Sequence, residues 1–151
     1  MTCKRRLQQG TSLLEVLFAV FLVAVCATIL AASMPTATRS QKIADLNNKA
    51  TNLAQKELEA IRALGYANVT PTQLASAQLI DSTTPVQTNT YAFTNVDAGV
   101  TDSVAQVLPS GTGTVLIEQM DLDLRRVTVT VTYQMRGVAK TVRMGTLVAN
   151  L

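Results

Sequence analysis

Between Leu13 and Met34 the chain runs for 22 residues with a single charge, Glu15. A helix needs about 20 apolar residues to cross the hydrocarbon core of a bilayer. A soluble core helix of such uniform apolarity is out of place in a chain of 151 residues, which has room for one domain of ordinary size. These side chains therefore need an apolar setting outside their own fold: lipid, other helices, or both. Residues 1–10 before the run are polar and basic. Lys4, Arg5 and Arg6 supply the whole net charge of +3, because from Thr11 onward ten basic residues face ten acidic ones. The basic pI thus reflects the N-terminal tip and is only weak evidence for nucleic-acid binding.

Pro35 follows the run, where it removes one helical hydrogen bond and can kink a helix without ending it. From Thr36 the pattern becomes amphipathic. Ile43, Leu46, Ala50, Leu53, Ala54, Leu58, Ile61 and Leu64 recur at spacings of three and four, which predicts a helix with one buried stripe. Gly65 is its natural stop. The whole helix, from Ser12 to Leu64, would be about 80 Å long if continuous. A protein of this size needs no such rod for its own fold, so the rod is expected to pack against copies or relatives.

Residues 66–114 are rich in Thr, Ser, Asn, Gln and Pro. Thr70-Pro71-Thr72-Gln73 has the form of a capping box with Pro at the first helical position, predicting a short helix to about Ile80. Tyr91–Val96 reads as a strand, and Asp97-Ala98-Gly99 and 109–113 as turns. In residues 115–151, Val115–Met120 is a candidate strand. Arg126–Met135 then alternates Val127, Val129, Val131, Tyr133 and Met135 with Thr and Gln, and Val138–Val148 alternates again after Arg136-Gly137. This predicts an antiparallel meander whose apolar face needs a cover. The stripe of the long helix is the available cover. The expected class is α+β: a membrane and assembly helix (11–34), its amphipathic continuation (35–65), a polar loop region (66–114) and a small C-terminal sheet (115–151).

The inventory argues against catalysis. The chain has no His, which excludes a Ser-His-Asp triad, a Cys-His pair and any His-containing zinc site. Its two cysteines, Cys3 and Cys26, both lie in the first 26 residues, so the rest folds without a disulfide or thiolate metal site. No cofactor is expected. Asp121 and Asp123 alternate and would share a strand face, making them candidate Ca²⁺ ligands, with a solvated turn as the plainer reading. Arg125, Arg126, Arg136, Lys140 and Arg143 are a candidate nucleic-acid patch, with Tyr133 as nearly their sole aromatic company.

One segment carries functional information: Gly10-Thr11-Ser12-Leu13-Leu14-Glu15-Val16-Leu17. A basic leader ends in Gly, an apolar stretch follows directly, and a glutamate stands at the fifth position past the Gly. This resembles the processing site of type IV prepilins and of the related pseudopilins of type II secretion systems. The resemblance implies cleavage between Gly10 and Thr11 by a dedicated membrane peptidase on the cytoplasmic side. It also implies N-methylation of the new first residue and a mature chain of 141 residues. The first mature residue of this family is usually large and apolar, where this chain has Thr11; the second is commonly Thr, where this chain has Ser12. Asn52-Leu53-Ala54-Gln55-Lys56-Glu57-Leu58-Glu59 looks like minor pilins and minor pseudopilins in particular. In the family, a Pro near the depth of Pro35 marks where the helix loosens during assembly.

The chemistry of Glu15 fits this reading independently. A carboxylate at the centre of a membrane helix costs about 2.5–3.5 kcal/mol on insertion scales, and less near the boundary. Cleavage after Gly10 would create an α-amino group on Thr11, one helical turn from Glu15. That amine can pair with Glu15 of its own chain or of a neighbour, and the resemblance implies that the second pairing sets the register of a filament. The partners so implied are other pilins, the prepilin peptidase, an inner-membrane assembly platform and the bilayer. Other readings stay open. They are a tip subunit that binds DNA, a surface or a secreted substrate; a secretory signal peptide, whose apolar region normally runs 7–15 residues; a plain membrane anchor; and a lipoprotein at Cys26, which Val25 precedes where a small residue is expected.

Overall fold

In the computed structural model, which describes residues 13–96 and 103–150, a long N-terminal helix packs on a four-stranded antiparallel sheet, an α+β arrangement. The leader, Thr11, Ser12 and the Asp97-Ala98-Gly99 turn lie outside the described residues. Helix α1 spans Leu13–Leu64 and runs through Pro35 as one element. The chain divides into two units between Ile43 and Ala44, and each is described by itself.

In the second unit, α1 buries Ala50, Ala54, Leu58 and Ile61, while Leu46, Leu53 and Leu64 are partly covered. Gly65 ends the helix at φ 76°, a left-handed conformation that glycine adopts without steric cost. Arg62 in the last turn complements the partial negative charge there. After a 3-10 turn (Tyr66–Asn68), α2 occupies Pro71–Ser76. The Thr70 hydroxyl accepts from the Gln73 N–H at 3.4 Å and Pro71 takes the first position. The other half of the capping box is missing: the Thr70 N–H donates to the Asn68 carbonyl at 2.8 Å, and the Gln73 side chain accepts from the Ser76 hydroxyl. The helix stops four residues before Ile80. Leu79 and Ile80 are both buried, at 2% and 1% exposure, and adjacent positions on a helix point about 100° apart. The chain reverses at Gln78 (φ 55°) and sends both into the core.

The sheet order follows the chain: β1 (Thr90–Ala92), β2 (Thr112–Asp121), β3 (Leu124–Met135) and β4 (Val138–Ala149). A short helix, α3 (Val104–Val107), lies between β1 and β2 and has no clear sequence signal. In β3, Val127, Val129, Val131 and Tyr133 are buried, and the threonines between them are half-buried. Register keeps the apolar side chains on one face: Val115 lies opposite Val129, Val129 opposite Met144, and Val131 opposite Val142. β-branched side chains fit this pleated, half-buried surface. Arg136 (φ 53°) and Gly137 (φ 77°) form the two-residue β3–β4 hairpin, and positive φ at both positions matches the natural twist of the strands. The glycine inside β2 has a local cause: a Cβ on Gly113 would sit 2.6 Å from the Phe93 ring.

Asp81 fastens the loop between α2 and the sheet. Its carboxylate accepts the backbone N–H groups of Thr94 at 2.9 Å, Asn95 at 2.9 Å and Val96 at 3.0 Å. Its own N–H donates to the Ala92 carbonyl at 2.7 Å. Removing the carboxylate strands three donors at a partly buried site. Asp81→Ala is expected to cost roughly 2–4 kcal/mol, read as a lowered denaturant midpoint of the detergent-solubilised chain. An unchanged midpoint would contradict this role.

Candidate functional site

The first unit poses the functional question. From Leu13 to Met34 every described side chain is exposed, including Phe18 at 62%, Phe21 at 62% and Leu30 at 65%. The most apolar 18-residue window of α1 has a mean hydropathy of 2.8 and none of it is buried. A core helix of a soluble protein is mostly covered by its own chain, and none of this window is. Its 22 residues span about 33 Å, against a hydrocarbon core of about 30 Å. The segment is therefore one apolar helix long enough to cross a membrane.

Its backbone and hydroxyl chemistry suits a medium without water. Val, Ile and Phe are middling helix formers in water, but in lipid only a helix satisfies every backbone group within one segment. Thr28 donates to the Val25 carbonyl at 2.8 Å, and Ser33 to the Leu30 carbonyl at 2.9 Å. Both hydroxyls thus turn inward on their own helix, and Cys26 is exposed on the helix surface. Glu15 lies in the first turn, where a carboxylate complements the positive end of the helix dipole. Gly10, Thr11, Lys4, Arg5 and Arg6 lie outside the described residues.

The remaining candidates separate in space. Asp121 ends β2 and pairs with Leu124, while Asp123 lies in the following turn, so the two do not share a strand face as expected. The register shift between Gln119 and Asp121 removes the simple alternation on which that expectation rested. The Asp121 carboxylate accepts from the Leu122 N–H at 2.7 Å, and Asp123 from the Asn150 side chain at 3.0 Å. Among the described residues no group of three or more His, Cys, Asp or Glu is placed to hold a metal.

No family model matches the chain, and neither a curated protein nor a solved structure matches it.

The five basic residues at the end of the chain do not form one patch. Arg125 is committed to the fold: its guanidinium lies 4.5 Å from the centre of the Tyr66 ring. It donates to the carbonyls of Tyr66 at 3.1 Å and Val69 at 2.6 Å, and to the Gln119 side chain at 3.0 Å. The Tyr66 hydroxyl donates to the Leu122 carbonyl and accepts from Gln119. This cluster ties the end of α1 to the β2–β3 turn. Arg126, Arg136, Lys140 and Arg143 are exposed, but Tyr133, the aromatic expected to accompany them, is buried at 2% exposure. Stacking of bases on that side chain is therefore ruled out.

Glu57 is 5% exposed and lies within the buried stripe of α1. The signal was available, since positions 50, 54, 57 and 61 follow helical spacing on one face, but a glutamate in such a row reads as solvated unless its neighbours are counted.

Proposed function

We propose that this chain is a structural subunit of a type IV pilus or a type II secretion pseudopilus, of the minor pilin or minor pseudopilin kind. It waits in the cytoplasmic membrane with its leader on the cytoplasmic side. Prepilin peptidase cuts it after Gly10, and it enters a periplasmic or extracellular filament by packing of its apolar helix against those of other pilins at an assembly platform. Its work is mechanical, not catalytic. The observation that carries this reading is the order Gly10, Thr11, Glu15 at the start of an apolar helix whose side chains are all exposed from Leu13 to Met34. Such a helix serves equally in lipid and in a bundle of like helices, and a carboxylate one turn from a new α-amine adds a directional contact to an otherwise non-directional surface.

The reading is tested at the cleavage site. Gly10→Asp leaves Leu13–Met34 untouched, so the chain is expected to insert in the membrane as before. Processing is expected to fail, with the full-length precursor accumulating at its unshortened size on an immunoblot from cells that contain prepilin peptidase. A shortened product from the variant in parental amounts would remove the reading.

A further inference from the structure

β4 (Val138–Ala149) is the last strand of the sheet, and its outer side has no neighbouring strand among the described residues. Met135 and Val138 flank the two-residue hairpin and exchange backbone hydrogen bonds, and in an antiparallel ladder every second residue does the same. The Asn150 N–H, which donates to the Asp123 carbonyl at 2.9 Å, keeps that parity to the end of the strand. Even-numbered residues of β4 therefore bond to β3. The N–H and C=O groups of Ala139, Thr141, Arg143, Gly145, Leu147 and Ala149 point away from the sheet, and none bonds to another backbone group among the described residues. The register runs through all 12 residues without a bulge, and the strand contains no Pro. A bare edge of this kind is a template for one more strand.

Two features of the edge select what it can pair with. The first is apolar. A groove of about 320 Å³ lies between α1 and β4, with Leu58 and Met144 among its lining residues. Glu59 and Arg62 also line it, one charge of each sign. The second feature is charge. Lys140 and Arg143 are exposed on β4, Arg136 is exposed in the hairpin, and none of the three is in an ion pair among the described residues. β4 itself carries no acidic residue. Glu118 stands two strands in, opposite Arg126, and Asp123 lies at the far end of β4, where it accepts from the Asn150 side chain. The half of the edge from Val138 to Gly145 is therefore basic. Like charges on paired strands repel, so this half disfavours the β4 of a second copy and favours a strand of opposite charge.

We propose that the β4 edge receives an extended acidic segment of another protein as a fifth, antiparallel strand. Acidic side chains stand opposite Arg143 and Lys140. Apolar ones stand opposite Met144 and Val142, on the face that α1 covers. Along the incoming strand this reads apolar, acidic, apolar, any residue, acidic. Backbone bonds hold the strand, and the charges choose it. The contact does not depend on the function proposed above.

The test uses the full-length chain in detergent micelles. The probe is the peptide Thr-Val-Glu-Val-Thr-Glu-Thr, acetylated at its N-terminus and labelled with a fluorophore at its C-terminus, followed by fluorescence anisotropy. Saturable binding is expected, about tenfold tighter than that of the same peptide with both Glu replaced by Lys. N-methylation of the two peptide residues opposite Arg143 and Thr141 blocks the N–H groups that face β4 and leaves the peptide's charge unchanged. It is expected to abolish binding, which attraction to the basic leader would not do. Thr141→Pro removes an outward N–H and no bond to β3, a position where an edge strand tolerates Pro, and is expected to abolish binding while circular dichroism stays parental. Lys140→Glu with Arg143→Glu is expected to lose the glutamate peptide and take the lysine peptide, an exchange that a misfolded chain cannot produce. The proposal is overturned by absence of saturable binding, by equal binding of the two peptides, by binding that survives N-methylation, or by a reversed chain that does not take the lysine peptide. A homodimer that forms without peptide and disappears in Thr141→Pro would place a second copy on the edge and overturn it as well.

Discussion

Val129→Asp is expected to unfold the second unit. Val129 is fully buried, with Val115 beside it on β2 and Met144 on β4. Loss of its apolar burial removes about 1.5–3 kcal/mol. A carboxylate sealed among valines costs several kcal/mol more unless it protonates or forces the sheet open. Together these approach the roughly 5–15 kcal/mol that holds a whole domain of ordinary stability. The neighbouring Thr130→Asp is the control. Thr130 is half-buried on the other face, opposite Arg143, and its replacement is expected to cost about 1 kcal/mol, the span of strand propensities. Circular dichroism and limited proteolysis of the detergent-solubilised chain compare the two. A cooperative transition in Val129→Asp at the parental denaturant concentration would contradict the packing described above.

Glu15→Gln is expected to abolish assembly while leaving insertion and cleavage intact. On the function proposed above, the Glu15 carboxylate meets the α-amine of Thr11 on a neighbouring subunit. At about 4 Å and an effective dielectric near 20, opposite unit charges gain about 4 kcal/mol. The amide matches the carboxylate in size and carries no charge, so it isolates that term. Glu15→Val removes the polar group altogether, eases insertion into the membrane, and is expected to show the same assembly defect. Tagged protein is then recovered from the membrane fraction but not from sheared filaments. If both variants enter filaments like the parent, the ion pair does not set register in this chain.

How much could be read before the fold was seen depends on the range of the interactions involved. The long helix and the β3–β4 meander were legible because local periodicity declares them: spacings of three and four from Ile43 to Leu64, and strict alternation from Val127 to Tyr133. The Gly65 stop and the Thr70-Pro71 start are likewise local chemistry. The early end of α2 was not legible, because it depends on where Leu79 and Ile80 find a core. Helix α3 is four residues long and carries no side-chain cap. In the candidate site, the apolar segment and Glu15 stand out because 22 nearly uncharged residues are rare in a small chain. The separation of Asp121 from Asp123, and of Arg125 from the other basic residues, depends on a register shift and on the partner Tyr66, 59 positions away. Such contacts leave no local pattern.

On the function proposed above, the chain is a prepilin cut after Gly10. The most direct test is the intact mass and N-terminal peptide of the protein purified from membranes of cells that contain prepilin peptidase. A chain that starts at Thr11 and lacks the first ten residues is expected, with or without one added methyl group, and a full-length chain when the peptidase is deleted. A chain that keeps Met1 in the presence of the peptidase, or one that starts near Met34 after a signal-peptide cut, would contradict it.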